Sequence, residues 1–141
     1  MTTLLNVAIT TAVTLQVGSK FQLRGINAGA VPSSLAIHAN AAGTLGTSMT
    51  WWLQTSYDGG TNWCDALAGT HTAAGRTAGV VLSSASSSAL PAVPTDGGGA
   101  PPFVVLGMFA GLWRIKYSSV GTWTNGNLRI DAFSSIIVPS V

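Results

Sequence analysis

Four carboxylates are all this chain offers for acid–base chemistry: Asp58, Asp65, Asp96 and Asp131, with no glutamate. Asp58 and Asp65 flank what reads as a single hairpin, so a carboxylate pair acting on a glycosidic bond is imaginable. Asp58 is equally well explained as the turn residue of that hairpin, and Asp65 as the partner of a nearby Arg. With so few acids available to tune one another, the catalytic reading is the weaker one. Cys64 is the only cysteine, so no disulfide forms within the chain. As a nucleophile it would need His38 or His71 as its base, and nothing in their spacing supports that. It follows Trp63 in an apolar strand and reads as a packing thiol. His, Cys and acidic residues do not fall in register for a metal. No Gly-rich loop precedes a helix, so there is no phosphate cradle. A Ser-His-Asp triad assembles in three dimensions and is not decided by spacing, but no nucleophile-elbow motif supports one. The expectation is a protein without catalytic residues, cofactor or metal: not an enzyme.

The elements that would position these groups are strands. In Met49–Ser56, Met49, Trp51, Leu53 and Thr55 fall on one face by period-two alternation, and Thr50, Trp52, Gln54 and Ser56 on the other. Asp58-Gly59-Gly60 is a turn signal, and Trp63 restarts the pattern on a returning strand. Similar alternation marks Ala12–Val17, Phe21–Gly25, Ser34–Ala39, Leu112–Tyr117 and Leu128–Ala132. Gly18-Ser19 reads as a turn, Asn40–Thr44 as a loop, Gly69–Gly79 as a loop, and Asn125-Gly126 as a hairpin turn. Val80–Leu82 and Phe103–Leu106 read as short strands. No stretch has sustained helical periodicity. About eight short strands with turn signals between them predict one all-β domain over residues 1–141, an antiparallel β-sandwich of jelly-roll-like type. Residues 1–11 read as an extended arm or edge strand. Residues 83–102, rich in Ser, Ala, Gly and Pro, read as a long loop or arm, and 134–141 as an apolar tail that docks.

Composition narrows the partners. The 141 residues include six Lys or Arg and four Asp, and charged residues make up 7% of the chain, against roughly 25% in ordinary soluble domains. Neutral surfaces associate, so much of this surface is expected to be covered by other subunits. The basic residues are scattered and only Arg114 and Lys116 share a strand face, which argues against nucleic acid. The longest apolar run, Phe103–Trp113, is interrupted by Gly107 and Gly111 and is shorter than the roughly 20 residues that span a bilayer. No secretory signal is read at the N-terminus. Trp51, Trp63 and Trp113 fall at core positions. Trp52, on the opposite face, and Trp123, at a predicted hairpin tip, are candidates for a sugar-stacking platform or an interface anchor. The alternative for Trp52 is that it faces the second layer of a sandwich, and Trp123 reads as interface or loop packing rather than sugar binding.

Ser56-x-Asp58-x-Gly60-x-x-Trp63 resembles the Asp-box of sialidases and related β proteins. The resemblance implies a structural hairpin in which Asp and Ser knit the turn and Trp packs beneath it. One copy in so short a chain implies no sialidase chemistry. Leu53–Trp63, read with Trp113-Arg114-Ile115-Lys116-Tyr117 and Gly121-Thr122, resembles a group of small virion structural proteins of tailed bacteriophages, over about residues 20–133. That resemblance implies a β-sandwich capsid decoration (cement) protein, localised to the virion after assembly in the host cytoplasm. Its partners would be the major capsid protein and copies of itself, with neither membrane nor nucleic acid. A neck or tail component is the alternative within that class, and a carbohydrate-binding module using exposed Trp is the alternative outside it. The residues expected at partner interfaces are Trp52, Trp123, Leu4, Leu5, Pro101, Pro102, Ile136 and Ile137.

Overall fold

β-Branched and aromatic residues recur at alternate positions through most of the chain, a pattern that suits a pleated, half-buried surface. In the computed structural model they form twelve strands among the described residues. Residues 2–24, 34–44, 46–56, 58–76, 80–83, 96–98, 103–104, 112–133 and 136–139 are described, and no helix occurs among them. In chain order the strands are β1 (Thr2–Ile9), β2 (Val13–Val17), β3 (Phe21–Arg24), β4 (Ser34–Thr44), β5 (Ser48–Ser56) and β6 (Cys64–His71). There follow β7 (Gly75–Arg76), β8 (Val80–Ser83), β9 (Phe103–Val104), β10 (Leu112–Val120), β11 (Thr124–Phe133) and β12 (Ile136–Pro139).

Every pairing is antiparallel. The five-stranded sheet runs β1-β11-β4-β7, with β8 on the same edge of β4 as β7. The seven-stranded sheet runs β12-β3-β10-β5-β6-β9, with β2 ahead of β3 along the same edge of β10. The alternate residues of the two sheets meet in one core. Ile9, Ile37, Ala39, Leu128, Ile130 and Ala132 come from the five-stranded sheet, and Phe21, Met49, Trp51, Leu53, Trp113, Ile115 and Tyr117 from the seven-stranded one. This is the antiparallel β-sandwich expected from the alternation. The pairing establishes the sandwich and does not establish the jelly-roll-like connectivity of that expectation.

Three arches organise the fold. Consecutive strands change sheet seven times, and three of these crossings, between β1 and β2, between β4 and β5, and between β10 and β11, form the arches at one end. The order β1-β11-β4 in one sheet therefore faces β2-β10-β5 in the other, and the three crossings lie side by side at one end. Thr47 N donates to Val120 O at 2.8 Å, tying two of the arches together. Gly121 sits there at φ 87, and a Cβ on it would come within 2.6 Å of Thr47 N, so only glycine fits. Trp123, in the β10–β11 arch, turns inward and is buried in the core.

Several local readings are corrected by this arrangement. Asn125-Gly126 is not a hairpin turn: β10 and β11 belong to different sheets, and Asn125, at φ 50, lies in β11 where its register on β4 shifts. Asn tolerates the left-handed region, and the chain uses that freedom for a bulge. Gly18-Ser19 does not reverse the chain. Gly18 N donates to Ile115 O at 2.8 Å, so β2 and β3 follow one another down β10 with an offset. Asn40–Thr44 is not a loop, because β11 supplies ladder partners as far as Thr44. Gly69–His71 is strand rather than loop. β6 is buried on both faces from Cys64 to Gly69, which removes the alternation that would have marked it. Residues 2–9 form the edge strand of the two options expected, and the C-terminal tail pairs with β3.

Candidate functional site

The strongest concentration of polar groups lies where β5 turns into β6, on the face of the seven-stranded sheet away from the core. Local sequence builds the turn. Asp58 Oδ1 accepts from Ser56 Oγ at 2.8 Å, Thr61 N at 3.1 Å and Asn62 N at 2.8 Å, and Asp58 Oδ2 accepts from Asn62 Nδ2 at 2.6 Å. Ser56 Oγ accepts in turn from Gly60 N at 2.8 Å, and Trp63 Nε1 donates to Gly60 O at 3.0 Å. These are the four residues of the hairpin motif, Ser56, Asp58, Gly60 and Trp63, and the fold brings them together as expected. The hydrogen bonds from Asn62, Ser56 and Thr61 hold the Asp58 carboxyl at a pKa of about 2.

Beside the turn, alternation places Gln54, Arg114 and Lys116 on one face. Gln54 and Arg114 are cross-strand partners, as are Trp52 and Lys116. The Arg114 guanidinium lies over the Trp63 ring, its carbon 4.0 Å from the ring centroid, and Lys20 Nζ approaches the same ring at 5.9 Å. Arg114 Nε donates to Gln54 Oε1 at 2.7 Å and its Nη2 to Asp96 Oδ1 at 2.6 Å. Lys116 Nζ donates to the same Oδ1 at 2.9 Å and to Asp96 O at 2.8 Å. Asp65, buried beneath, accepts from Gln54 Nε2 at 2.7 Å, and from Gly97 N at 2.9 Å and 3.1 Å on its two oxygens. Asp96 N donates to Trp63 O at 3.1 Å. Asp96 and Gly97 are thus clasped onto the sheet by side chains from three strands.

Each of these carboxylates is supplied with donors, and that decides what the cluster can do. Partial burial raises the Asp96 carboxyl, but the hydrogen bond and charge of Lys116 and the charge of Arg114 outweigh it and hold it below the usual carboxylate range. A general acid at neutral pH needs the opposite shift. Asp58 and Asp65, the imagined carboxylate pair, are committed to the turn and to the clasp respectively. The Cys64 thiol lies on the core side; burial first, then the charge of Asp65, pushes it up, away from reactivity. His71 is buried, and burial pulls its pKa down. Among the described residues no group of His, Cys, Asp or Glu is placed to hold a metal ion.

The expected interface residues fare differently. Trp52 is 6% exposed and Trp123 is 3% exposed, so neither is a surface anchor. Trp52 does face away from the core, as the alternation required, but that face is covered; Trp123 is drawn inward because its arch closes the end of the sandwich. All five tryptophans are buried, which leaves no exposed indole for a sugar to stack on. Trp63 is buried beneath its own turn, outside the main core. Leu4 and Leu5 are partly buried against the core. Pro101, Pro102 and the side chains of Ile136 and Ile137 lie outside the described residues, as does most of 83–102. The clasp around Asp96 was missed by sequence reading. Its available signals were the shared face of Gln54, Arg114 and Lys116, and the Asp96-Gly97 turn dipeptide within the long loop. Set against known proteins, the chain matches no family model, no curated protein and no solved structure.

Proposed function

We propose that the chain is a structural virion protein of a tailed bacteriophage, and within that class a capsid decoration protein that binds the major capsid protein and strengthens the head. One observation carries the reading: most of the few charges present are tied up in contacts with one another or with the chain's own backbone and polar side chains. Of the ten charged side chains, six basic and four acidic, seven are engaged. Asp58 knits a turn, Asp65 and Lys116 are buried, Asp96 pairs with Arg114 and Lys116, and Arg129 pairs with Asp131. Among the described residues the exposed positions are largely Thr, Ser, Ala, Asn and Gly, a surface suited to being sheathed by neighbouring subunits. The resemblance of Leu53–Trp63 and Trp113–Tyr117 to small phage virion proteins points the same way, and the covered tryptophans weigh against carbohydrate binding. A protein on the shell would add apolar and hydrogen-bonded contact between capsomers without chemistry of its own.

The test is co-sedimentation of the purified chain with empty capsid shells from the phage that encodes it. Saturable binding at a constant ratio to the major capsid protein is the expected result. Binding of only a few copies per particle transfers the assignment to neck or tail. No binding to shells, necks or tails overturns it.

A further inference from the structure

Among the described residues, one side of the sandwich is open. β1 ends the five-stranded sheet, and among the described residues no strand pairs with its outer edge. Across the core from it lies β2, which among the described residues pairs only with β10, since β12 covers β3 and not β2. The two edges are close, since Leu5 Cδ1 would lie 3.0 Å from a Cβ on Gly18, at the end of β2. The core runs out to solvent between them: Leu4, Leu5, Val7 and Val13 pack against it but are only partly buried. Leu15 and Val17 on β2 are 42% and 46% exposed.

Proteins that live alone protect such edges with Lys, Pro or inward charges. Here residues 1–19 contain no charged residue and no proline. The charges that reach β1 are those of Arg129 and Asp131, which pair with each other and bond Thr3 Oγ1, at 3.3 Å and 2.7 Å, so they present no net charge.

We infer that this open side is a self-association surface, on which β1 pairs antiparallel with β1 of a second copy and joins two five-stranded sheets into one. The occupant must be a strand, because an edge offers alternating backbone donors and acceptors. It is a second copy because antiparallel pairing of identical strands is what a two-fold axis produces. A neutral edge can meet itself without like-charge repulsion, whereas a charged partner would find nothing complementary on it. The register of β1 on β11 is unbroken from Leu5 to Ile9, and the ladder is assigned to that stretch. Leu15 and Val17 would pack along its flank. The inference deepens the structural-protein reading and rests on it only in supposing that copies associate.

The test is sedimentation velocity on the purified chain, with Ala8→Lys in β1, Leu15→Asn in β2 and Ala73→Lys as a control in the connection between β6 and β7. All three positions are exposed. Wild type should sediment as a dimer or larger, Ala8→Lys should weaken association by at least about tenfold and Leu15→Asn by a few-fold, and Ala73→Lys should match wild type. Should Ala8→Lys not fold, hydrogen exchange on wild type replaces it: amides of Leu5–Ile9 should lose protection on dilution while those of β5 keep theirs. A wild-type monomer at ~100 µM, or an oligomer indifferent to the edge substitutions with no dilution effect on β1, overturns the inference. A monomer that still binds capsid shells overturns it while leaving the virion assignment standing.

Discussion

Replacing Gly69 by alanine should destabilise the sandwich out of proportion to one methyl group, and the cost should vanish when Trp51 is made smaller. Gly69 in β6 stands directly opposite Trp51 in β5. A Cβ there would lie 2.6 Å from Trp51 Cζ2, 2.8 Å from Cε2 and 3.0 Å from Nε1. Ordinary carbon contacts are about 3.5–4.0 Å, so the ring must retreat by roughly 1 Å. It has no room to do so, being 1% exposed within the central pair of strands. Overpacking of this kind costs about 1–3 kcal/mol, and relieving the unfolded-chain entropy of glycine returns about 0.5–1 kcal/mol, so a net loss of about 1–2 kcal/mol is expected. Trp51→Leu alone should cost about 3 kcal/mol through the lost volume. Combined with it, Gly69→Ala should be neutral or slightly stabilising, because the methyl enters vacated space. Urea unfolding followed by circular dichroism, with unchanged m values, measures all four corners of the cycle. Equal costs of Gly69→Ala in both backgrounds would refute the steric account.

Asp96→Ala should cost about 1–2 kcal/mol in the same assay, less than a fully buried ion pair would, because the Asp96 side chain is 57% exposed and its charge is partly screened. Most of that loss should disappear in a Lys116→Met background, where no buried ammonium is left without its anion. Acid should act in two stages. The His71 pKa is lowered in the fold, so the protein binds fewer protons there than the unfolded chain does, and stability should begin to fall as pH drops below about 6.5; His71→Gln should flatten that limb in unfolding measured between pH 7 and 5. Asp58 goes from 3.8 to about 2, so its contribution is complete above the unfolded value and is lost as pH falls towards about 2, a limb that Asp58→Asn should remove. Cys64 should react with an aromatic disulfide reagent only at the rate of unfolding, and fast labelling of the native chain would contradict its burial and raised pKa.

Alternation was legible where a strand set large apolar residues on one face against polar ones on the other, even in β5, which is buried on both faces from Trp51 to Ser56. β5 and β10 could be read residue by residue, and so could the turn at Asp58, because its chemistry is local. β6 could not, since Ala66, Ala68 and Gly69 are small and buried with no polar side to mark a period. Trp52 shows the limit of the same rule: its face was right, but alternation carries no information on what lies over that face. The same holds for Asp96. Its partners Arg114 and Lys116 lie about twenty residues further on, and Gln54 about forty back, so their convergence is a product of the fold rather than of spacing. Asn125-Gly126 misled because a dipeptide that favours left-handed backbone serves a bulge as readily as a turn.

The crossings between the layers are distributed over both ends of the sandwich. Three lie side by side at one end, and β11 passes to β12 from Phe133 to Ile136 at the other. Prising the layers apart from either end would therefore meet a covalent strap before the packed side chains gave way in succession. Sliding one sheet over the other would have to drag the straps at both ends at once. An attachment that pulls on this unit, lengthwise or by peeling, would find covalent bonds in its path.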